Sequence, residues 1–335
     1  MKKNPLRLMA ALLLSSFALI PLNASAWDRG HVDRFATLPP GSPNPEGIAA
    51  DRDGNIYATT FAGGKLFEFD RNGHLLRNNT VTPSSGALLG LDFNPRTGDL
   101  LVLDFGAGNV LRVNPSDGTA QVFASIGIGA GEGLNALTFD RDGNVYISSS
   151  FTGKIWRTDP DGGSVTEWAS SPLLATTGVP PFGANGVGFN KAHDKLFVAN
   201  TGNDTIVQIP VNADGSAGTP SVFVNSINGA DGLILDEDDN IWVCANQADE
   251  IVVVDKTGKA IAKLGDFGGI ARDGAAIGLL FPASPVRVGD WIYVTNLSLD
   301  LGTAFHLPTV DSQWAGKVKL QTISRIRARI PRVPQ

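Results

Sequence analysis

Residues 230 to 244 read ADGLILDEDDNIWVC: a Gly followed by aliphatic residues, an acidic turn, then a short β-branched and aromatic run. A turn rich in Asp and Asn between two such runs reads as a β-hairpin, because these residues tolerate the backbone conformations that tight turns demand. The crowded DEDD at 236–239 suggests a calcium loop of the EF-hand type at first sight. It lacks alternating ligands, a central Gly and a terminal Glu, and it falls where blocks further up the chain have DRDGN. The run is therefore expected to be a solvated turn.

The first half of the hairpin recurs. EGIAAD begins at 46, LGLDFN at 89, NALTFD at 135, NGVGFN at 185, DGLILD at 231 and IGLLFP at 277, so successive copies start 43 to 50 residues apart. Each is followed by a turn and a second run: DGNIYATT, TGDLLVLD, DGNVYISS, HDKLFVAN, DDNIWVCA and VGDWIYVT. Third runs such as GGKLFEFD and TGKIWRTD follow in several copies, then outer ones such as TAQVFAS and SVTEWAS. Four short strands repeated six times predict an all-β fold, a six-bladed β-propeller. HVDRFATL at 31–38 looks like an outer strand that precedes the first inner one, and KLQTISRIRARI at 319–330 like a third strand with nothing after it. The N-terminal strand is thus expected to complete the last blade and close the ring, which hides two sheet edges.

The first 26 residues carry Lys2, Lys3 and Arg7 ahead of an apolar stretch and end in Ala24-Ser25-Ala26. This is the pattern of a secretory signal. A single propeller domain over 27–335 is then expected in the periplasm or outside the cell, as a monomer or weak oligomer. The run is too short to span a membrane. Loss of residues 1–26 takes the net charge from −6 to −9. An acidic chain with no Lys/Arg tract argues against nucleic acid or an anionic membrane as partner. The lone Cys244 excludes intrachain disulfides.

One column of the repeat breaks the rule that equivalent positions carry similar residues. Its first position reads Glu46, Leu89, Asn135, Asn185, Asp231 and Ile277. Inner strands line the channel, so these side chains should meet near the axis at one mouth. Two carboxylates and two amides gathered there call for a cation, since buried charge must be paired or coordinated. Glu46, Asn135, Asn185 and Asp231 are the candidate metal ligands. An all-oxygen set favours Ca²⁺, with Mg²⁺ and Mn²⁺ as alternatives, over Zn²⁺. The alternative reading is that these residues cap strand ends.

The order Glu, Asn, Asn, Asp on inner strands resembles the senescence marker protein/gluconolactonase family, with paraoxonases and strictosidine synthase-like proteins as wider relatives. The best local matches are the EG at Glu46, ANGVGFN around Asn185 and ADGLILDEDDNIWV around Asp231. The resemblance implies that Glu46, Asn185 and Asp231 bind metal and that Asn135 is a ligand or contacts substrate. The family's sugar-lactone members carry an Arg two residues before the equivalent of Asn135, where this chain has Gly133.

A central cation open to one side would polarise a lactone or ester carbonyl, and the expected activity is metal-dependent hydrolysis of such small molecules. Asp231 is the candidate general base. Asn200, Asn246 and Asn296, near the ends of second strands on the metal side, are candidates to contact ligands or substrate, with strand-end capping as the alternative. His306 lies in the insertion 297–316, read as a lid, and is a second candidate for substrate. Phe182, with Phe105, Phe151 and Trp314, is a candidate apolar wall, flanked by the connections at 125–133 and 170–183. Two other readings stay open: a non-catalytic propeller that binds a ligand or protein around a structural cation, and a streptogramin lyase-like enzyme, for which only His306 offers a base.

Overall fold

The computed structural model describes residues 28–126 and 131–331; the leader read at 1–26 and part of the connection at 125–133 lie outside them. Six four-stranded antiparallel sheets radiate from an axis. Their inner strands are Pro45–Ala50, Leu88–Phe93, Leu134–Phe139, Ala184–Phe189, Ala230–Leu235 and Pro282–Val288. In the sixth blade, Val32–Thr37 pairs with Thr322–Arg327, so the N-terminal strand closes the ring. Each seam between neighbouring blades is filled by its own apolar cluster, for example Leu101, Leu103, Leu134 and Ile147 between blades 2 and 3. Clusters of this kind supply the packing that a chain without disulfides depends on. Among the described residues, no helix is long and apolar enough to cross a membrane.

The start of blade 6 corrects the repeat as read from sequence. IGLLFP at 277 is not an inner strand. Ala276–Gly278 pairs with Phe267–Ile270 in a separate hairpin, and Ile277 is exposed. The inner strand begins at Pro282, so Ala283 takes the sixth place in the column. The inserted hairpin carries a glycine and aliphatics at the expected spacing, and periodicity alone cannot separate it from an inner strand.

All six inner strands share a second feature. The register slips between Pro45/Ile48, Leu88/Leu91, Leu134/Leu137, Ala184/Val187, Ala230/Leu233 and Pro282/Pro285. A bulge therefore falls on the column itself, freeing those residues from the ladder; bulges commonly re-aim side chains in this way. The Gly that follows in four blades has its own reason. A Cβ on Gly186 would sit 2.5 Å from the Asp231 carbonyl oxygen, and one on Gly232 would sit 2.7 Å from that of Ala283. Inner strands approach too closely here for a side chain.

The acidic turn at 236–239 is on the opposite face. Asp236 accepts bonds from the Asn240 amide and side chain and from the Trp242 indole. Asp51 does the same for Asn55 and Tyr57, and Asp140 for Asn144 and Tyr146. The Asp is the hub that fastens each turn to its own second strand.

Candidate active site

Glu46, Asn135, Asn185 and Asp231 are each only 4% exposed, and all four line one small cavity at the mouth of the channel. Its volume is about 20 Å³, room for one water-sized or ion-sized occupant. The two remaining places in the column, Leu89 and Ala283, are apolar and buried.

A second column, which sequence reasoning did not recognise as a set, explains how the four are held. The residue just after the one paired with each inner strand's first residue reads Phe61, Phe105, Ser150, Thr201, Asn246 and Leu297 around the ring. It is polar where the inner residue is polar in three blades. Asn135 Nδ2 donates to Ser150 Oγ at 3.2 Å, Asn185 Nδ2 to Thr201 Oγ1 at 2.9 Å, and Asn246 Nδ2 to Asp231 Oδ2 at 2.7 Å. With their NH₂ groups committed, the Oδ1 atoms of Asn135 and Asn185 remain as acceptors without a donor among the described residues. Blade 1 has Phe61 opposite Glu46, and so Glu46 has no such partner.

The consequence is electrostatic. Glu46 Oε2 and Asp231 Oδ1 are buried with no hydrogen bond among the described residues. Burial, and then the charge of Asp231, raises the Glu46 carboxyl well above its ordinary range. Burial likewise pushes Asp231 up to about 7, against the hydrogen bond from the Asn246 side chain. Two unpartnered carboxylate oxygens and two free amide oxygens around an ion-sized void fit a hard divalent cation, and Ca²⁺ takes this donor chemistry. Cys244, behind the site, is fully buried, and burial raises its thiol well above the usual range. It is packing, not a nucleophile.

Above the oxygens the walls are apolar. Phe61, Pro180, Phe182, Phe281, Leu297 and Leu299 line the cavity. Aromatic contacts extend this wall: Phe105 lies 6.2 Å from Phe61 and 5.4 Å from Phe151, Phe151 stacks on Phe182 at 5.7 Å, and Phe305 meets Phe182 edge-on at 5.5 Å. Gly133 sits beneath this cluster. A Cβ there would be 2.7 Å from the Phe151 ring. Phe61, Phe105 and Leu297 carried a legible signal, an apolar residue just past the second run of three repeats; Phe281 carried none, because it precedes the shifted inner strand of blade 6.

The other candidates sit elsewhere. Asn200 is buried and donates to the carbonyls of Leu173 and Ala175, pinning the connection before blade 4. Asn296 bonds to Thr322, Ser324 and the Leu280 amide. His306 is an exposed helix C-cap in the left-handed conformation after Leu301–Phe305, and does not line the cavity. Trp314 packs on Phe267, away from the other aromatics. Of the three Asn candidates only Asn246 reaches the cavity.

The family model described as SMP-30/gluconolactonase/LRE-like region matches residues 108–265. A lactonase drp35 from Staphylococcus saprophyticus is 24% identical over 239 residues, covering 65% of this chain and 68% of that protein. Among solved structures, the calcium-binding protein regucalcin from Agrobacterium tumefaciens superposes with a TM-score of 0.60 at 17% identity, over 90% of this chain and 98% of that one. A virginiamycin B lyase from Staphylococcus aureus gives 0.58 at 15% identity, over 87% and 83%. At these identities the structural matches speak for the fold. Residues 108–265 thus carry the SMP-30/gluconolactonase/LRE-like region, and the chain as a whole is similar to the six-bladed propellers of that family.

Proposed function

We propose that this protein is a divalent-cation-dependent hydrolase of lactones or related esters that bear apolar substituents. The observation that carries the reading is the pair of buried, unpartnered oxygens of Glu46 and Asp231, set beside the free amide oxygens of Asn135 and Asn185 on the floor of an apolar cup. These four residues would hold the cation. When bound, a cation of this kind compensates the two carboxylates and polarises a substrate carbonyl.

The chain's own residues do the rest. Asn246 fixes the Asp231 carboxylate through Oδ2, and that carboxylate, at the edge of the cavity, takes the proton of an attacking water. The Phe61, Phe182 and Phe281 walls exclude bulk water, and because the cavity itself admits only an ion or a water, these side chains must part to seat the substituent. Gly133 supports the apolar preference, because Phe151 occupies the space that a polar side chain at 133 would need. The lactonase activity in the name of the Staphylococcus relative agrees with this chemistry.

The test is hydrolysis of a panel of aliphatic lactones, aryl-substituted lactones and a sugar lactone, with Ca²⁺ and after chelation. Chelator-sensitive cleavage favouring the apolar members is expected. Ca²⁺ that raises the melting temperature while no ester or lactone is cleaved would leave a binding propeller with a structural cation. We also propose export, with the mature chain starting near Trp27; the N-terminal mass of the secreted protein checks it.

A further inference from the structure

We infer that a groove between blades 6 and 1, on the face opposite the cup, binds a phosphate group carried by a small organic ligand. The groove measures about 480 Å³ and is lined by Arg52, Arg71, Trp291, Tyr293, Arg325 and Arg327, with Asp51 and Asp290 as the acidic members. Four guanidiniums in one groove stand out on a chain whose net charge is −6.

Elsewhere on this face, basic side chains clasp one blade to the next. Arg52 donates to the Pro95 carbonyl, Arg96 to that of Asp142, Arg141 to that of Lys191, and Lys191 to that of Glu237. These links serve the seams from blade 1 to blade 5. Among the described residues, Arg71, Arg325 and Arg327 make no such link across the seam from 6 to 1. Among the described residues Arg71 donates only from Nε, to the Asp53 carbonyl. The Arg327 side chain makes no hydrogen bond among the described residues; its Nη1 stands 3.9 Å from Asp290, which is 88% exposed. Arg325 Nε is buried without a hydrogen-bond partner among the described residues, and Asp33 at 3.6 Å is too far to accept from it. Asp51 is already committed to Asn55 and Tyr57.

Three guanidiniums are therefore left with free donors, and two are held in place. Arg325 and Arg327 lie over the Trp291 ring, 4.4 and 3.9 Å from its centroid. Stacking restricts the guanidinium plane while leaving its fork of N–H groups at the edge, the geometry that binds phosphate oxygens in pairs. A carboxylate offers two oxygens to this set; a phosphate offers three and more charge. The groove is far larger than a phosphate alone, so the ligand has an organic body as well.

Titration calorimetry of the full chain with glycerol 3-phosphate tests this, with inorganic phosphate and neutral glycerol as comparisons. Saturable binding is expected for glycerol 3-phosphate, weaker for inorganic phosphate, none for glycerol, with loss of affinity as salt rises. Arg327→Gln and Arg71→Gln should each weaken it about tenfold, the loss expected for one charge-assisted contact. Arg327→Lys should recover part of this, keeping the charge but not the fork. Neither side chain belongs to the cup, and an unchanged melting temperature in the variants verifies folding. Binding confined to phosphatidylglycerol vesicles and weakened by the same substitutions assigns the phosphate to a lipid headgroup and keeps the recognition. Absence of binding to either source, or binding untouched by both Gln variants, overturns the proposal.

Discussion

Asn246 Nδ2 donates to Asp231 Oδ2 at 2.7 Å, while the other oxygen of the same carboxylate is buried with no donor among the described residues. One side chain thus decides which oxygen of Asp231 is fixed and which is free. Asn246→Leu removes a hydrogen bond that stabilises the charged form, so the Asp231 carboxyl should titrate higher. The acid limb of the pH–rate profile is expected to move up by about one unit, the equivalent of one hydrogen bond to a charged group. An unmoved limb would separate Asn246 from the proton-transfer step.

Asp231→Asn should separate catalysis from stability. Hydrolysis is expected to fall by about 10²- to 10⁴-fold, the usual contribution of a positioned base. In chelator the variant should melt higher than the unsubstituted protein, because a buried carboxylate has been replaced by a neutral group of the same shape. Steady-state kinetics and melting curves measured on the same preparation check both signs.

Stability without metal should fall as pH rises. Glu46 and Asp231 have folded-state pKa values raised by burial, Asp231 from 3.8 to about 7. The charged form is penalised only in the folded state. The penalty is absent below the unfolded pKa and grows through this interval as protons leave. Melting temperatures in chelator should therefore decline from pH 4 to 7, and the rise produced by Ca²⁺ should grow over the same range. Asp249, raised to about 7 by burial and then by Asp311, and Asp311, raised to about 6 by burial, have the same sign. They lie outside the cup, so part of the decline should survive Ca²⁺ and shrink in Asp249→Asn.

Phe182→Ala tests the apolar wall. Phe182 is 8% exposed and contacts Phe105, Phe151 and Phe305. Its truncation should raise KM for aryl-substituted lactones about tenfold or more while leaving kcat nearly unchanged, since the ring binds ground and transition states alike. The smallest unsubstituted lactone should be much less affected. Equal losses on both would point to general misfolding of the cup, which a melting curve would reveal.

Gly186→Ala should act through the seam between blades 4 and 5. The added methyl would lie 2.5 Å from the Asp231 carbonyl oxygen and 2.6 Å from the Leu233 amide nitrogen. Overpacking of this kind costs about 1–3 kcal/mol. Because the displaced backbone carries Asp231, Ca²⁺ affinity should fall along with the melting temperature, although no ligand has been changed. Calcium titration by calorimetry reads this directly.

The sequence by itself determined the six-fold repeat, the closure by the N-terminal strand and the column of Glu46, Asn135, Asn185 and Asp231. Each of these is written in local patterns: strand periodicity, turn residues, and one variable place in an otherwise uniform block. The solvated role of DEDD was legible for the same reason, since Asp236 stands where Asp51 and Asp140 stand in other blades. Other features were not legible. The pairing of Ser150, Thr201 and Asn246 with the inner column depends on a register that slips by a bulge in every blade, and a bulge leaves no periodic trace. Blade 6 starts at Pro282 because a hairpin that resembles an inner strand was inserted before it. Asn200, Asn246 and Asn296 share a residue type and end similar strands, yet two tie down connections and one reaches Asp231. That division follows from register: Asn200 and Asn296 are themselves paired with the first residue of their inner strands, whereas Asn246 stands one position later. A one-residue step sends a side chain to the other face of a strand, a distinction that only the observed pairing fixes.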